Sequence, residues 1–385
     1  MDNWFIKIKK VVRYIRHYGL ARTFTKIRGI YHLRFDGTFE GDTWDNLNCK
    51  SKFDSSRFTA LVGCGNFAFS NIAYYLFRHN KKFLRCAYDP DSSRALSLCR
   101  SYGGLYVTRR WEEILADESV RLVYIASNHS THCDYAIACI NAGKHVHIEK
   151  PHVVSGDQLE KLMSAMKNNP EIKVFLGFNR PRSALFDKLQ HLLSSQEGPI
   201  MFNWFVAGHR IPNDHWYFDD KEGGRILGNL IHWTDMSLHL INKETAFPCR
   251  IIPGSLPSSR SDFMLMLVFA DGSSGAITFS AKGATFEGVR EVLNLQRGDV
   301  MAQLTDFKNL TVDINHKKYH FAPWFRDHGH EANITNSYQR VEDDMPGEDP
   351  TYVEFTARFA LAIKNAIESQ TETTVHFEDQ YGGRS

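Results

Sequence analysis

A chain of 385 residues with 43% hydrophobic and 23% charged residues has the composition of a soluble globular protein. It is long for a single core, so two domains are expected. A formal net charge of +2 excludes nucleic-acid binding by the body of the protein on composition. No apolar run is long enough to span a bilayer, and the first residues carry no evident secretory signal.

The near-neutral total conceals a basic start. Nine Lys and Arg residues lie between Met1 and Arg34, against Asp2 alone. Trp4, Phe5, Ile8, Val11, Val12 and Ile15 recur at helical spacing. They predict an amphipathic helix that Gly19 would end. Such a helix packs on a subunit or on its own chain, or lies on an anionic membrane surface, and the sequence leaves both readings open. A polar stretch then leads to Ser56, closing an N-terminal extension of residues 1–56.

From Arg57 short apolar runs alternate with helical stretches. "FTALVG", "FLRCAYD", "LYVT", "RLVYIAS", "HVHIEK" and "KVFLGFN" read as strands. "FAFSNIAYYLFRHN", "DSSRALSLCRSYGG", "WEEILAD", "STHCDYAIACINAG" and "SGDQLEKLMSAMKNN" read as helices between them. This alternation predicts an α/β Rossmann domain, a doubly wound parallel sheet, over residues 57–179. Beyond Arg180 one helix, "SALFDKLQHLLSS", precedes long extended segments. "FMLMLVFADGSSGAITFSAKG" reads as a hairpin turning at Asp271-Gly272 or the serines after it. A last helix, "PTYVEFTARFALAIKNAIES", precedes the tail. Residues 180–385 are therefore expected to form an α+β domain with an open, mostly antiparallel sheet.

Seven cysteines (Cys49, Cys64, Cys86, Cys99, Cys133, Cys139 and Cys249) form no Cys-x-x-Cys pair. They read as reduced thiols in a cytosolic protein, with neither a disulfide framework nor a metal site.

The first strand runs into Gly63-Cys64-Gly65-Asn66-Phe67-Ala68 and a helix, the G-x-G-x-x-A form of a dinucleotide loop. Gly63 permits the turn, Gly65 lets backbone approach a pyrophosphate, and Ala68 keeps helix and strand close. The helix start offers N–H donors to that anion. Asp89 ends the second strand, 24 positions after Gly65, where an acid binds the ribose 2′-hydroxyl of NAD. It would repel the 2′-phosphate of NADP, although Arg94 nearby is suited to pair with one. NAD is the expected cofactor, with NADP as the alternative. "HIEKP" ends the fifth strand in Glu149-Lys150-Pro151. There a lysine is either a solvated turn residue or stands at the open carboxyl edge of the sheet, where ligands bind.

The stretch from Ser127 to Pro151, "SNHSTHCDYAIACINAGKHVHIEKP", together with "VGCGNFA" and "GFNR", resembles the glucose–fructose oxidoreductase/inositol dehydrogenase (Gfo/Idh/MocA) superfamily. "GGRILGNLIHWTDM" looks like that family's glycine-rich helix with a catalytic histidine. The resemblance covers roughly Arg57 to Ile241. It implies NAD(P)-dependent redox chemistry on sugars or cyclitols, with Lys150 hydrogen-bonding the reacting hydroxyl and stabilising its developing charge. His232, eight positions after Gly224, is then the base, and Asp235 either orients its ring or is a helix-surface acid. Ser127, Asn128, His132 and Glu149 join Asn66 and Phe67 as cofactor contacts. Asn179, Arg180, His209, Arg210, His215, Trp216 and Asn229 are substrate candidates. Arg would take a phosphate and Trp a ring face of a sugar nucleotide.

One departure stands out: many members carry an aspartate four residues before the histidine, and this chain has Gly228. The variant resembles members linked to surface-polysaccharide biosynthesis. The expected function is hydride transfer between an activated sugar hydroxyl and nicotinamide. Epimerisation or glycoside cleavage through transient oxidation uses the same parts, and a non-catalytic NAD and sugar sensor is the competing class. A cytoplasmic homo-oligomer is expected by analogy with the family. Peripheral contact with the inner face of the membrane, or with a partner protein, through the N-terminal helix is the additional reading.

Overall fold

A computed structural model of the chain describes residues 4–45, 56–212, 214–254, 260–282 and 288–377. Two compact units interleave along it. Phe24–Gly177 with Glu331–Val353 form one, and Met1–Thr23, Phe178–His330 and Glu354–Ser385 the other.

In the first unit seven strands lie in the order Thr43–Asp45, Tyr106–Thr108, Leu84–Tyr88, Thr59–Val62, Leu122–Ile125, His145–Ile148 and Val174–Leu176. All neighbours are parallel except the first pair. Every residue of Thr59–Val62 and Leu122–Ile125 is buried. Helices on both faces of a parallel sheet require this, and it is why these strands read as unbroken apolar runs. The strand order reverses between them, which makes their carboxyl ends the crevice for a ligand.

Two features of this unit escaped the local pattern. Thr43–Asp45, inside the stretch expected to be a loose linker, adds an antiparallel edge strand against Tyr106–Thr108. The helix His330–Glu342 returns from far along the chain. Its Ile334 carbonyl accepts from the Tyr124 hydroxyl at 2.7 Å, its Ser337 hydroxyl meets His147 Nδ1 at 2.8 Å, and its Tyr338 ring stacks on Phe58. These contacts pack the helix on the strands of the first unit.

The N-terminal helix runs from Trp4 to His32. Gly19 breaks it without ending it, taking φ 81° and ψ 170°. The Thr23 hydroxyl donates to the Gly19 carbonyl at 2.8 Å, which satisfies a group freed by the break and lets the helix resume. The side chains of Trp4 and Phe5 lie outside the described residues, as does Cys49. The other six cysteines are buried free thiols.

The second unit holds nine strands in the order Lys317–Phe321, Asn309–Ile314, Val300–Thr305, Arg290–Arg297, Ile200–Ala207, Ser274–Ser280, Phe263–Phe269, Cys249–Pro253 and Thr373–Val375. Only Ile200–Ala207 and Ser274–Ser280 pair in parallel. Ile200, Phe202, Trp204 and Val206 enter the core with Phe186 and Leu189 of the helix Ala184–Leu193 and with Phe355 and Phe359 of the helix Pro350–Ser369. Met201, Phe205, Met266 and Met301 stand on the open face. The predicted hairpin forms, with Val268 opposite Ser274. Asp271 accepts from Ser273 N–H, and Gly272 takes φ 90° in the turn. Among the described residues no helix is long and apolar enough to cross a membrane.

Candidate active site

The dinucleotide loop is held by backbone geometry. Gly63 takes φ 86°, and a Cβ there would come within 2.5 Å of the Ala126 carbonyl carbon, so glycine is required twice over. At Gly65 the Cβ direction meets no atom within 4 Å, which leaves the loop backbone open to a phosphate. The following turn, Ala68–Ile72, is π-helical before regular helix begins at Ala73. Asn66 and Phe67 are half-buried in the loop.

Asp89 is buried beside this loop. One carboxylate oxygen accepts from Cys64 N–H at 2.7 Å and the other from Asp91 N–H at 2.9 Å. Burial pushes its carboxyl up from the usual range, and the two N–H donors oppose that. Each oxygen keeps a lone pair, so the group fits a ribose diol. Arg94 Nε lies 3.1 Å from Asp91 in a half-exposed i,i+3 ion pair, and its charge also acts to lower the Asp89 carboxyl.

Lys150 sits at the carboxyl end of His145–Ile148 and is half-buried. Its surroundings are built from buried polar groups. His132 lies between two carbonyl oxygens, with Nδ1 2.8 Å from that of Pro151 and Nε2 2.9 Å from that of Ser127. Burial lowers its pKa and the two carbonyls oppose that; the protonated ring donates to both carbonyls, the neutral ring to one. His132 thus ties the loop after the fourth parallel strand to the Lys150-Pro151 turn, acting on backbone rather than facing the cleft. The Ser127 and Thr131 hydroxyls meet at 2.7 Å, and Asn128 is exposed at the helix start. Glu149 is buried, 3.7 Å from His147. A Cβ at Gly177 would lie 2.6 Å from its Oε2, so glycine there makes room for the carboxylate.

Sequence reasoning missed His32. It is 3% exposed, its Nε2 lies 2.7 Å from the Cys64 carbonyl, its Nδ1 lies 2.9 Å from the Ser97 hydroxyl, and its ring stacks on Phe69 at 4.2 Å. The helix expected to end at Gly19 gave no signal that residue 32 would brace the dinucleotide loop.

The second unit carries the other candidates. Gly223 and Gly224 take positive φ before a π-helical turn, Ile226–Leu230, which contains Gly228 and Asn229. Regular helix follows over Ile231–Leu238, with His232 half-buried. π-Turns of this kind are frequent at functional sites. Asp235 is buried; it accepts from the Thr356 hydroxyl at 3.2 Å and lies 3.7 Å from His239. It is therefore neither a helix-surface acid nor held to the His232 ring by these contacts. Arg225, buried and not singled out from sequence, donates to the His209 carbonyl at 2.7 Å and pins the loop bearing exposed His209 and Arg210. His215 accepts from Tyr217 N–H at 3.2 Å and lies against Trp216, both half-buried.

Asn179 and Arg180 have structural partners. Asn179 donates to the His328 carbonyl at 2.6 Å. Arg180 pairs with Glu291 at 2.8 Å and lies over the Trp233 ring, so its guanidinium is committed to a buried ion pair instead of a substrate phosphate. Glu291 also accepts from Trp233 Nε1 at 2.8 Å and lies 3.0 Å from His328 Nε2. Burial acts to raise its pKa, but Arg180 and His328 outweigh it and hold the carboxyl at about 2. Among the described residues no cluster of His, Cys, Asp and Glu is arranged to hold a metal.

The profile of the oxidoreductase family with an NAD-binding Rossmann fold (Gfo/Idh/MocA) matches residues 58–178. The match covers under a third of the chain. Oxidoreductase P35 of Formosa agariphila is 27% identical over 135 residues, 35% of this chain. The match spans 42% of that relative's length, under half of it. The scyllo-inositol 2-dehydrogenase (NAD(+)) of Bacillus subtilis is 22% identical over 325 residues, 78% of this chain and 92% of its own. A levoglucosan dehydrogenase in complex with NADH and levoglucosan superposes with a TM-score of 0.70 at 17% identity, over 83% of this chain and 99% of that one. The fold likeness thus covers most of the chain, while the family match is confined to residues 58–178.

Proposed function

We propose that this protein is an NAD-dependent oxidoreductase moving a hydride between a sugar hydroxyl and nicotinamide, its substrate a nucleotide-linked or otherwise activated sugar of polysaccharide biosynthesis. The observation that carries the reading is the joint construction of the first unit. An open glycine loop faces a buried acid with spare acceptor capacity, and His132 fastens the backbone that presents Lys150. When bound, the cofactor supplies the hydride acceptor. Lys150 would hold the reacting oxygen and favour its anionic form, and His232 would take the proton. Asp89 would hold the ribose diol and repel a 2′-phosphate, which favours NAD over NADP. His215 and Trp216 are the better substrate contacts of the set; Asn179 and Arg180 support the second unit from within.

The enzyme would work in the cytoplasm as a homo-oligomer through the open sheet face that exposes Met201, Met266 and Met301. Its basic N-terminal helix would serve a membrane or protein contact. The sensor reading draws on Gly228, where many members of the family carry an aspartate. Turnover decides between the two. Activated sugars should reduce NAD with the wild type, and Lys150→Ala and His232→Ala should each lower kcat by about 10²- to 10⁴-fold. Tight NAD binding without turnover on any sugar would leave the sensor.

A further inference from the structure

The N-terminal helix is amphipathic in an inverted sense after its break at Gly19. Thr25, Gly29 and His32 are buried, whereas Leu20, Phe24, Ile27 and Tyr31 are exposed. The spacing of 4, 3 and 4 residues puts the four apolar side chains in one stripe of a helix, on the side opposite the buried positions. Leu20 is 72% exposed, Phe24 63% and Tyr31 68%, and Ile30 flanks them. Proteins without a partner at such a face rarely keep a row of large apolar groups in water.

The orientation is held from the inner side. His32 bonds the Cys64 carbonyl and the Ser97 hydroxyl, and a Cβ at Gly29 would lie 2.6 Å from Asn66 Oδ1. A roll that buried the apolar stripe would break those bonds and push larger side chains into a space that admits only glycine. The outward stripe is therefore a property of the packed helix.

Charge identifies the occupant. From Asn3 to Phe35 the chain has no acidic residue and nine Lys or Arg. Lys26 and Arg34 are exposed beside the stripe, as are Lys9, Lys10, Arg13 and Arg16 among exposed Ile8, Val11 and Val12 before the break. A second copy of the same face would set these cations against each other. A bilayer with anionic headgroups offers both an apolar plane and the opposite charge.

We propose that the face formed by Phe24, Ile27 and Tyr31 docks on an anionic lipid surface. This gives a definite partner to the peripheral contact in the proposed function, and its test does not depend on turnover. Full-length protein is sedimented with vesicles of phosphatidylcholine and with vesicles of equal parts phosphatidylcholine and phosphatidylglycerol. Binding to the anionic vesicles should be stronger by roughly tenfold or more and should weaken with salt. Phe24→Gln, Ile27→Gln and Tyr31→Gln together should abolish it while NAD binding is kept, since all three side chains point away from the fold. Equal binding to both vesicle types, or undiminished binding by the triple variant, would overturn the proposal. So would a wild-type assembly that dissociates in the triple variant, because a second copy would then cover the stripe. Loss of turnover with intact vesicle binding would count against the oxidoreductase reading alone.

Discussion

Replacing His32 by alanine tests whether the N-terminal extension is part of the dinucleotide site. The Cys64 carbonyl can only accept, so His32 Nε2 carries the proton and Nδ1 accepts from the Ser97 hydroxyl. Burial lowers the pKa of the ring, which keeps it in this neutral form. Alanine leaves the buried Cys64 carbonyl without this partner, at a cost of about 1–3 kcal/mol. Loss of the Phe69 stack adds about 1 kcal/mol. The two together amount to about 2–4 kcal/mol. Because Cys64 N–H also holds Asp89, the loop and its acid should loosen together. NAD affinity measured by calorimetry should fall by roughly tenfold, about 1.4 kcal/mol. Glutamine, which can still donate to the carbonyl, should restore part of it. Urea unfolding of His32→Ala within about 0.5 kcal/mol of wild type, with unchanged NAD affinity, would refute the bracing role.

Asp89→Ser removes the charge that opposes a 2′-phosphate, so the ratio of NAD to NADP affinity should drop by at least about tenfold in parallel titrations. Glu291→Gln leaves the buried Arg180 guanidinium without its counter-charge; a loss of about 3–5 kcal/mol is expected by denaturant unfolding. His152 is buried, its Nε2 lies 2.9 Å from the Val353 carbonyl, and burial lowers its pKa to about 4 from 6.5. The unfolded chain therefore binds a proton that the folded one resists. Its contribution is intact above about pH 6.5 and declines as pH falls towards 4, by about 3 kcal/mol in all. His152→Gln should flatten that part of the stability profile.

The strand–helix alternation, the geometry of the glycine loop, and the places of Asp89 and Lys150 at strand ends were legible because each depends on local order. A parallel strand buried on both faces must be continuously apolar. A tight turn into a helix needs glycine at Gly63, where φ is 86°. A strand that ends at the carboxyl edge delivers its last side chain to the crevice whatever the rest of the chain does. The antiparallel second sheet was legible in the same way from its alternation of buried and exposed residues.

What the linear order left undecided were the pairings between distant residues. Arg180 and Asp235 carry the charges a site would use, yet Glu291 and Thr356, more than 100 residues away, engage them in the core. His32 lay past a glycine that should have stopped its helix, and Phe325 packed at Gly19 with Cys64 at His32 made the continuation worthwhile. Propensity acts over a few residues, whereas the partner of a buried polar group is chosen by whichever donor or acceptor the fold brings within 3 Å. Thus the backbone geometry of the glycine loop was written in the sequence itself, while which polar residues brace the fold was decided by tertiary packing.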